Sequence, residues 1–118
     1  MPSSDPIQRF QDILENIARI EQYTDGIDLP AFMSDHKTYD AVERCLERIS
    51  EASKKLGAVA ETLCPDIPWP KIRALGNYLR HEYDRMEGDR LWFMVEDDLP
   101  PLKAAAGAAL QMLQENEP

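Results

Sequence analysis

A chain of 118 residues has room for one domain, spanning 1–118, around one modest core, and 43% hydrophobic residues suffice to build it; a second catalytic domain does not fit. The formal net charge of −9 argues against a nonspecific nucleic-acid binder, because affinity for phosphate backbones comes mainly from Lys and Arg displacing counterions. No window approaches 18 uncharged apolar residues, and Met1 to Gln8 lack a basic segment followed by an apolar run, so the expectation is a soluble cytoplasmic protein with no membrane span and no secretion signal.

From Ser4 to about Thr24, Ile7, Phe10, Ile13, Leu14, Ile17 and Ile20 recur at helical spacing, with Ser4 or Asp5 as N-cap and Gly26 beyond the end. Ile27 to His36 contains Pro30 and reads as a connection or a short helical turn. Thr38 to Leu63 repeats Ala41, Val42, Cys45, Leu46, Ile49, Ala52 and Leu56 on one face, a second long helix loosened at Gly57. Cys64 to Pro70 cannot continue it, since three prolines remove donors and force extended backbone before each. Pro70 then suits the first turn of a third helix running to about Tyr83, with Trp69, Ile72, Leu75 and Leu79 inward. Leu91 to Asp98 reads as a further helix ended by Pro100-Pro101, and the Ala-rich Leu102 to Gln114 as a last one with Leu110 and Leu113 facing in. No strand-like alternation appears. The economical architecture is an all-α up-and-down bundle of four long helices plus short ones.

The two cysteines, Cys45 and Cys64, are 19 residues apart without a C-x-x-C pattern, which suggests neither a disulfide framework nor a zinc knuckle and fits a reducing compartment. With only His36 and His81 as imidazoles, no metal site or cofactor is expected. Acidic pairs such as Asp97-Asp98 read as a solvated helix end, and the Glu43, Glu47, Glu51 ladder beside Arg44 and Arg48 as surface ion pairing. No Gly-rich phosphate loop or nucleophile elbow is present.

One segment gathers chemistry. Between Trp69 and Trp92 the chain carries five basic and four acidic residues, whereas the remainder carries 8 basic and 18 acidic. An anionic substrate must therefore be met locally, and the remainder suits a positively charged partner surface. If Arg73 to Tyr83 is helical, Arg73, Asn77 and His81 fall at i, i+4 and i+8, about 6 Å apart per step along one stripe.

The motif Gly76-Asn77-x-x-Arg80-His81-x-Tyr83, followed by Leu91-Trp92 and Asp98-Leu99-Pro100-x-Leu102, resembles the HepT-like branch of the HEPN proteins. Tyr23-Thr24, Gly26, Phe32, Thr38-x-Asp40-Ala41-Val42, Glu51-Ala52 and Pro68-Trp69 match the same family in order and approximate spacing, so the resemblance covers Ile7 to about Leu110. It implies an all-α bundle that forms a homodimer and acts as a metal-independent ribonuclease toxin, paired with a minimal nucleotidyltransferase antitoxin of the MntA type. The family's signature is an Arg, a polar residue such as Asn, three more residues, His, one residue and Tyr. Asn77, His81 and Tyr83 match it, and Gly76 stands where the Arg belongs.

An imidazole titrating near pH ~6.5 can exchange protons with a ribose 2′-hydroxyl or a leaving 5′-oxygen, the role implied for His81; its structural alternative is packing on a neighbouring helix. Asn77 is implied to hydrogen-bond the imidazole or a phosphate oxygen, or else to bridge helices. A guanidinium fork would hold the non-bridging oxygens. Arg80 adjoins His81 but points about 100° away around a helix, and Arg73 lies roughly 12 Å along the axis; for both, an ordinary ion-paired arginine is the competing reading. Gly76 permits close approach of another helix, at a dimer axis for instance. Tyr83 is implied to be the residue on which the nucleotidyltransferase attaches AMP, blocking substrate by charge and size; otherwise it is an amphipathic aromatic at a helix end. Trp69, Trp92 and Phe93 read as core anchors before base-stacking groups. The functional expectation is the toxin of a bacterial type VII-like pair cleaving RNA, with Asn77, His81, Arg80 and Arg73 as catalytic candidates. The alternative is a catalytically silent HEPN module that binds a nucleotidyltransferase, favoured by Gly76.

Overall fold

The computed structural model of the protein describes residues 5–81 and 88–117, with the backbone alone at Arg80, His81 and Gly88. Every regular element in these residues is helical. Helix α1, Pro6–Thr24, starts where Asp5 accepts a hydrogen bond from the Ile7 N–H at 3.0 Å and Pro6 fixes the first helical φ. Its buried side chains, Phe10, Ile13, Ile17 and Ile20, keep the 3–4 spacing of one apolar stripe. Helix α2, Leu29–Ser34, is a single short turn capped by Asp28, and it plugs Phe32 into the core against Tyr39 and Trp92, with ring centroids 5.6 and 5.2 Å away.

Helix α3, His36–Leu56, is capped by Asp35, which accepts from the Thr38 hydroxyl at 2.6 Å and the Thr38 N–H at 3.1 Å. Those bonds, the hydroxyl's first, hold the Asp35 carboxyl below its usual range. The expected long helix to Leu63 is in fact two: Gly57, at φ +57° and ψ −143°, turns the chain, and α4 follows as Ala58–Leu63. That backbone region is open to glycine and costly for residues with a Cβ, so Gly57 ends α3 outright.

After the proline corner, α5 runs from Trp69 to His81. Trp69 is fully buried and its indole N–H donates to the Cys64 carbonyl at 2.9 Å, tying the corner to the helix start. Helix α6, Gly88–Phe93, continues through a π-helical segment, Met94–Asp98, into α7, Leu99–Glu115. The expected single helix over Leu91 to Asp98 is thus split between an α and a π segment. Pro100 and Pro101 do not end it; they lie in the first turn of α7, where a missing N–H costs nothing. Trp92 is buried as expected, but Phe93 is 51% exposed and is no core anchor.

The four long helices are α1, α3, α5 and α7, of 19, 21, 13 and 17 residues, which is the expected all-α bundle. Helices α1 and α3 pack on each other at the centre, α5 lies on α3 and α7 on α1. On α7 the buried stripe is Leu99, Leu102, Ala106 and Ala109, with Leu110 and Leu113 half-buried at its edge. No helix among the described residues is long and apolar enough to cross a membrane.

Candidate functional site

Helix α5 carries the candidate residues, and its seat on α3 decides which of them reach solvent. Trp69 and Gly76 are buried, Ile72, Leu75 and Leu79 half-buried, and Ala74, Asn77 and Tyr78 exposed. One turn of α5 is joined directly to α3: the buried Ser50 hydroxyl donates to the Arg73 carbonyl at 2.9 Å and accepts from the Gly76 N–H at 3.0 Å. The close approach expected at Gly76 is therefore made within the chain, by α3.

Arg73 shares a helical register with Asn77 but not its surroundings. Its guanidinium reaches the corner between α3 and α4, pairing in a fork with Glu61 at 2.7 and 2.8 Å and donating to the carbonyls of Gly57 at 2.9 Å and Ser53 at 3.3 Å. The Ser53 carbonyl is one of the last four of α3, which a helix leaves without intrahelical partners, and the Gly57 carbonyl also accepts the Ala60 N–H at the start of α4. The hydrogen-bonded fork lowers the Glu61 carboxyl and raises the Arg73 guanidinium, two signs of one pairing. Of five N–H donors, these bonds occupy four.

Asn77 is exposed on the outer side of α5, one turn before His81 in an unbroken helix. Arg80 and His81 form the last turn of α5, where the backbone alone is described, and Tyr83 lies outside the described residues. The structure thus separates the sequence candidates into two groups. Arg73 faces inward to the α3–α4 corner, whereas Asn77 is on the outer face.

Sequence reasoning missed Ser50, Ser53, Gly57 and Glu61 as the groups that fix α5. A signal existed for the serines: both are buried among Ile49, Ala52 and Leu56 on the apolar face of α3, and a hydroxyl on a core face needs a partner. Ser53 finds its partner in its own helix, donating to the Ile49 carbonyl at 2.8 Å, and Ser50 finds it on α5. Of the expected surface pairs on α3, Arg44 meets Glu47 at 3.3 Å.

A profile of the family described as "Ribonuclease HepT-like" matches residues 13–109, the whole stretch from α1 into α7. The "Probable ribonuclease HepT" of Thermococcus cleftensis is 40% identical over 94 residues, covering 80% of this chain and 86% of that protein. The "Putative RNase MJ1380" of Methanocaldococcus jannaschii is 34% identical over 92 residues, covering 78% and 84%. "Putative RNase MJ0125" of the same organism is 28% identical across 98% of this chain and 99% of its own. No solved structure gives a significant match. The helices that frame Asn77 and His81 lie within the matched span, and the chain belongs to the HepT-like ribonuclease family.

Proposed function

We propose that the protein is a metal-independent RNA endonuclease acting as a homodimer, the toxin of a type VII-like toxin–antitoxin pair held in check by a nucleotidyltransferase. The observation that carries this reading is family membership together with Asn77 and His81 at the motif positions one turn apart on α5. His81 takes the proton of the ribose 2′-hydroxyl, whose oxygen attacks the adjacent phosphorus; the 5′-oxygen leaves, taking a proton, and a 2′,3′-cyclic phosphate remains. In a dimer, two copies of His81 divide the base and acid roles. Asn77, exposed on the same stripe, donates to a non-bridging oxygen. The remaining phosphate charge is assigned to Arg80, which adjoins His81 in sequence, while Arg73 supports α5 from its corner with Glu61. AMP attached to Tyr83 would place a bulky anion next to the imidazole and silence it.

A second reading has its own support. The motif position of the Arg is the buried Gly76, which contacts Ser50, and Arg73 is committed to Glu61, so two places for a phosphate-binding guanidinium are taken by structural work. That favours a catalytically silent module whose task is binding a nucleotidyltransferase. Cleavage of RNA by the purified protein in chelator, beside His81→Ala prepared identically, separates the two. Activity lost in the variant supports the nuclease; equal or absent activity in both leaves the binding module.

A further inference from the structure

Helix α5 lies on α3 and α7 on α1, and between α5 and the α6–π–α7 run a groove of about 480 Å³ opens, floored by Leu46 and Ile49 of α3. Its walls are apolar, with Ile67 and Leu75 on one side and Met94 and Pro101 on the other. Its volume lies within the ~300–1,000 Å³ of small-ligand sites. Four exposed charged side chains stand around it: Asp66, Lys71, Arg90 and Asp98, with Lys71 and Asp98 3.5 Å apart. The π segment supplies Met94 and Asp98 to the wall. Such segments are rare within α-helices and are frequent at functional sites.

The charges narrow what fits. An acyl chain would use only the apolar walls and leave the charged rim unengaged, and a bare anion would use only Lys71 and Arg90 and meet Asp66 and Asp98 as repulsion. A nucleotide engages walls and rim together: flat base faces for the apolar walls, N–H donors on the base edge for Asp66, and phosphate for Arg90 and for Lys71, whose pairing with Asp98 leaves it further N–H donors. Guanine suits best, because its N1–H and 2-amino donors lie side by side and match the two oxygens of one carboxylate. The groove also adjoins the motif. Ala74 and Tyr78 line it, and in helical register positions 74, 78 and 81 fall at i, i+4 and i+7 on one face of α5.

We propose that this groove is a base-binding subsite that takes a guanine nucleotide of the RNA next to the cleaved bond. The inference rests on the RNA-cleavage reading for its role and deepens it by naming the preferred base. The test is titration of GMP, UMP and ribose 5-phosphate into the ¹⁵N-labelled full chain, followed through backbone amide shifts. GMP is expected to give saturable shifts at Ile67, Leu75 and Leu102, with UMP and ribose 5-phosphate at least tenfold weaker. Ala74→Phe, which fills the groove from an exposed position, is expected to abolish those shifts at unchanged melting temperature, and Asp66→Asn to reduce the preference for GMP over UMP. Equal shifts with ribose 5-phosphate, no shifts with GMP, or groove amides that respond only to protein concentration and so mark a contact between copies would each overturn it. Binding of GMP needs no turnover. GMP bound without RNA cleavage leaves the subsite and removes the nuclease; cleavage without GMP binding does the reverse.

Discussion

Ser50 stands astride the backbone of α5, its hydroxyl donating to the Arg73 carbonyl and accepting from the Gly76 N–H at 2.9 and 3.0 Å. Position 76 is thereby a helix-contact position in this chain. Ser50→Ala removes both bonds and leaves an amide and a carbonyl that retain only their intrahelical partners, a loss of about 1 kcal/mol in chemical denaturation. Gly76→Arg, which places an arginine where the resemblance puts one, drives a long charged side chain into the α3–α5 contact and is expected to cost about 3 kcal/mol with no gain in RNA cleavage. A Gly76→Arg protein of unchanged stability would show that the side chain escapes the contact.

The Arg73–Glu61 fork links acid stability to α5. The folded-state pKa of Glu61 lies below its ordinary value, so the pair's contribution is fully present above the ordinary carboxylate range and is lost as pH falls through the depressed value. In Glu61→Gln this acid-side component disappears: wild type and variant converge in melting temperature at low pH and separate near neutrality. Arg73→Ala removes the carbonyl bonds to Ser53 and Gly57 as well, and is expected to cost about 2 kcal/mol at pH 7, more than Glu61→Gln. Equal effects of the two substitutions would assign the whole contribution to the ion pair.

Gly57 supplies the break that brings Glu61 back toward Arg73. With φ at +57° and ψ at −143°, an added Cβ meets no neighbouring atom, so the cost of Gly57→Ala is purely one of backbone conformation. About 1–2 kcal/mol of destabilisation is expected, measured by thermal or urea unfolding. A neutral result would mean that α3 and α4 can join as the single helix their apolar periodicity suggests.

Most of the fold is legible in the residue pattern because its elements obey local rules: the stripe Phe10, Ile13, Ile17, Ile20, the Asp5 cap and the proline corner each act within a few residues. The misjudged boundaries lie where local signals are ambiguous. Pro100-Pro101 can stop one helix or start the next, and only the packing of Leu99 and Leu102 chooses the second. The site is less legible for a related reason. Asn77 and His81 share a register that sequence gives directly, but the destination of Arg73 depends on Glu61, Gly57 and Ser53, which come to it through tertiary packing 12, 16 and 20 residues away.

Asn77 offers a clean separation of function from folding. It is exposed mid-helix, so Asn77→Ala is expected to leave stability within about 0.5 kcal/mol of wild type, with a slight gain from helix propensity. RNA cleavage is expected to fall by about 10- to 100-fold, chiefly in kcat, since the amide acts on charge that develops in the transition state. Unchanged kcat in this variant would remove Asn77 from the site.

The two thiols turn the architecture into a clock. Cys45 is buried on α3 and Cys64 beneath α7, where its Sγ lies 3.5 Å from the Ala105 carbonyl, and burial pushes both thiols above their ordinary pKa. Both are screened from solvent, so an alkylating reagent is expected to modify each chiefly when its cover has lifted. Because Cys64 is covered from α7 and Cys45 lies on α3, unequal labelling rates are expected if the last helix lifts on its own, and equal rates if the bundle opens only as a whole.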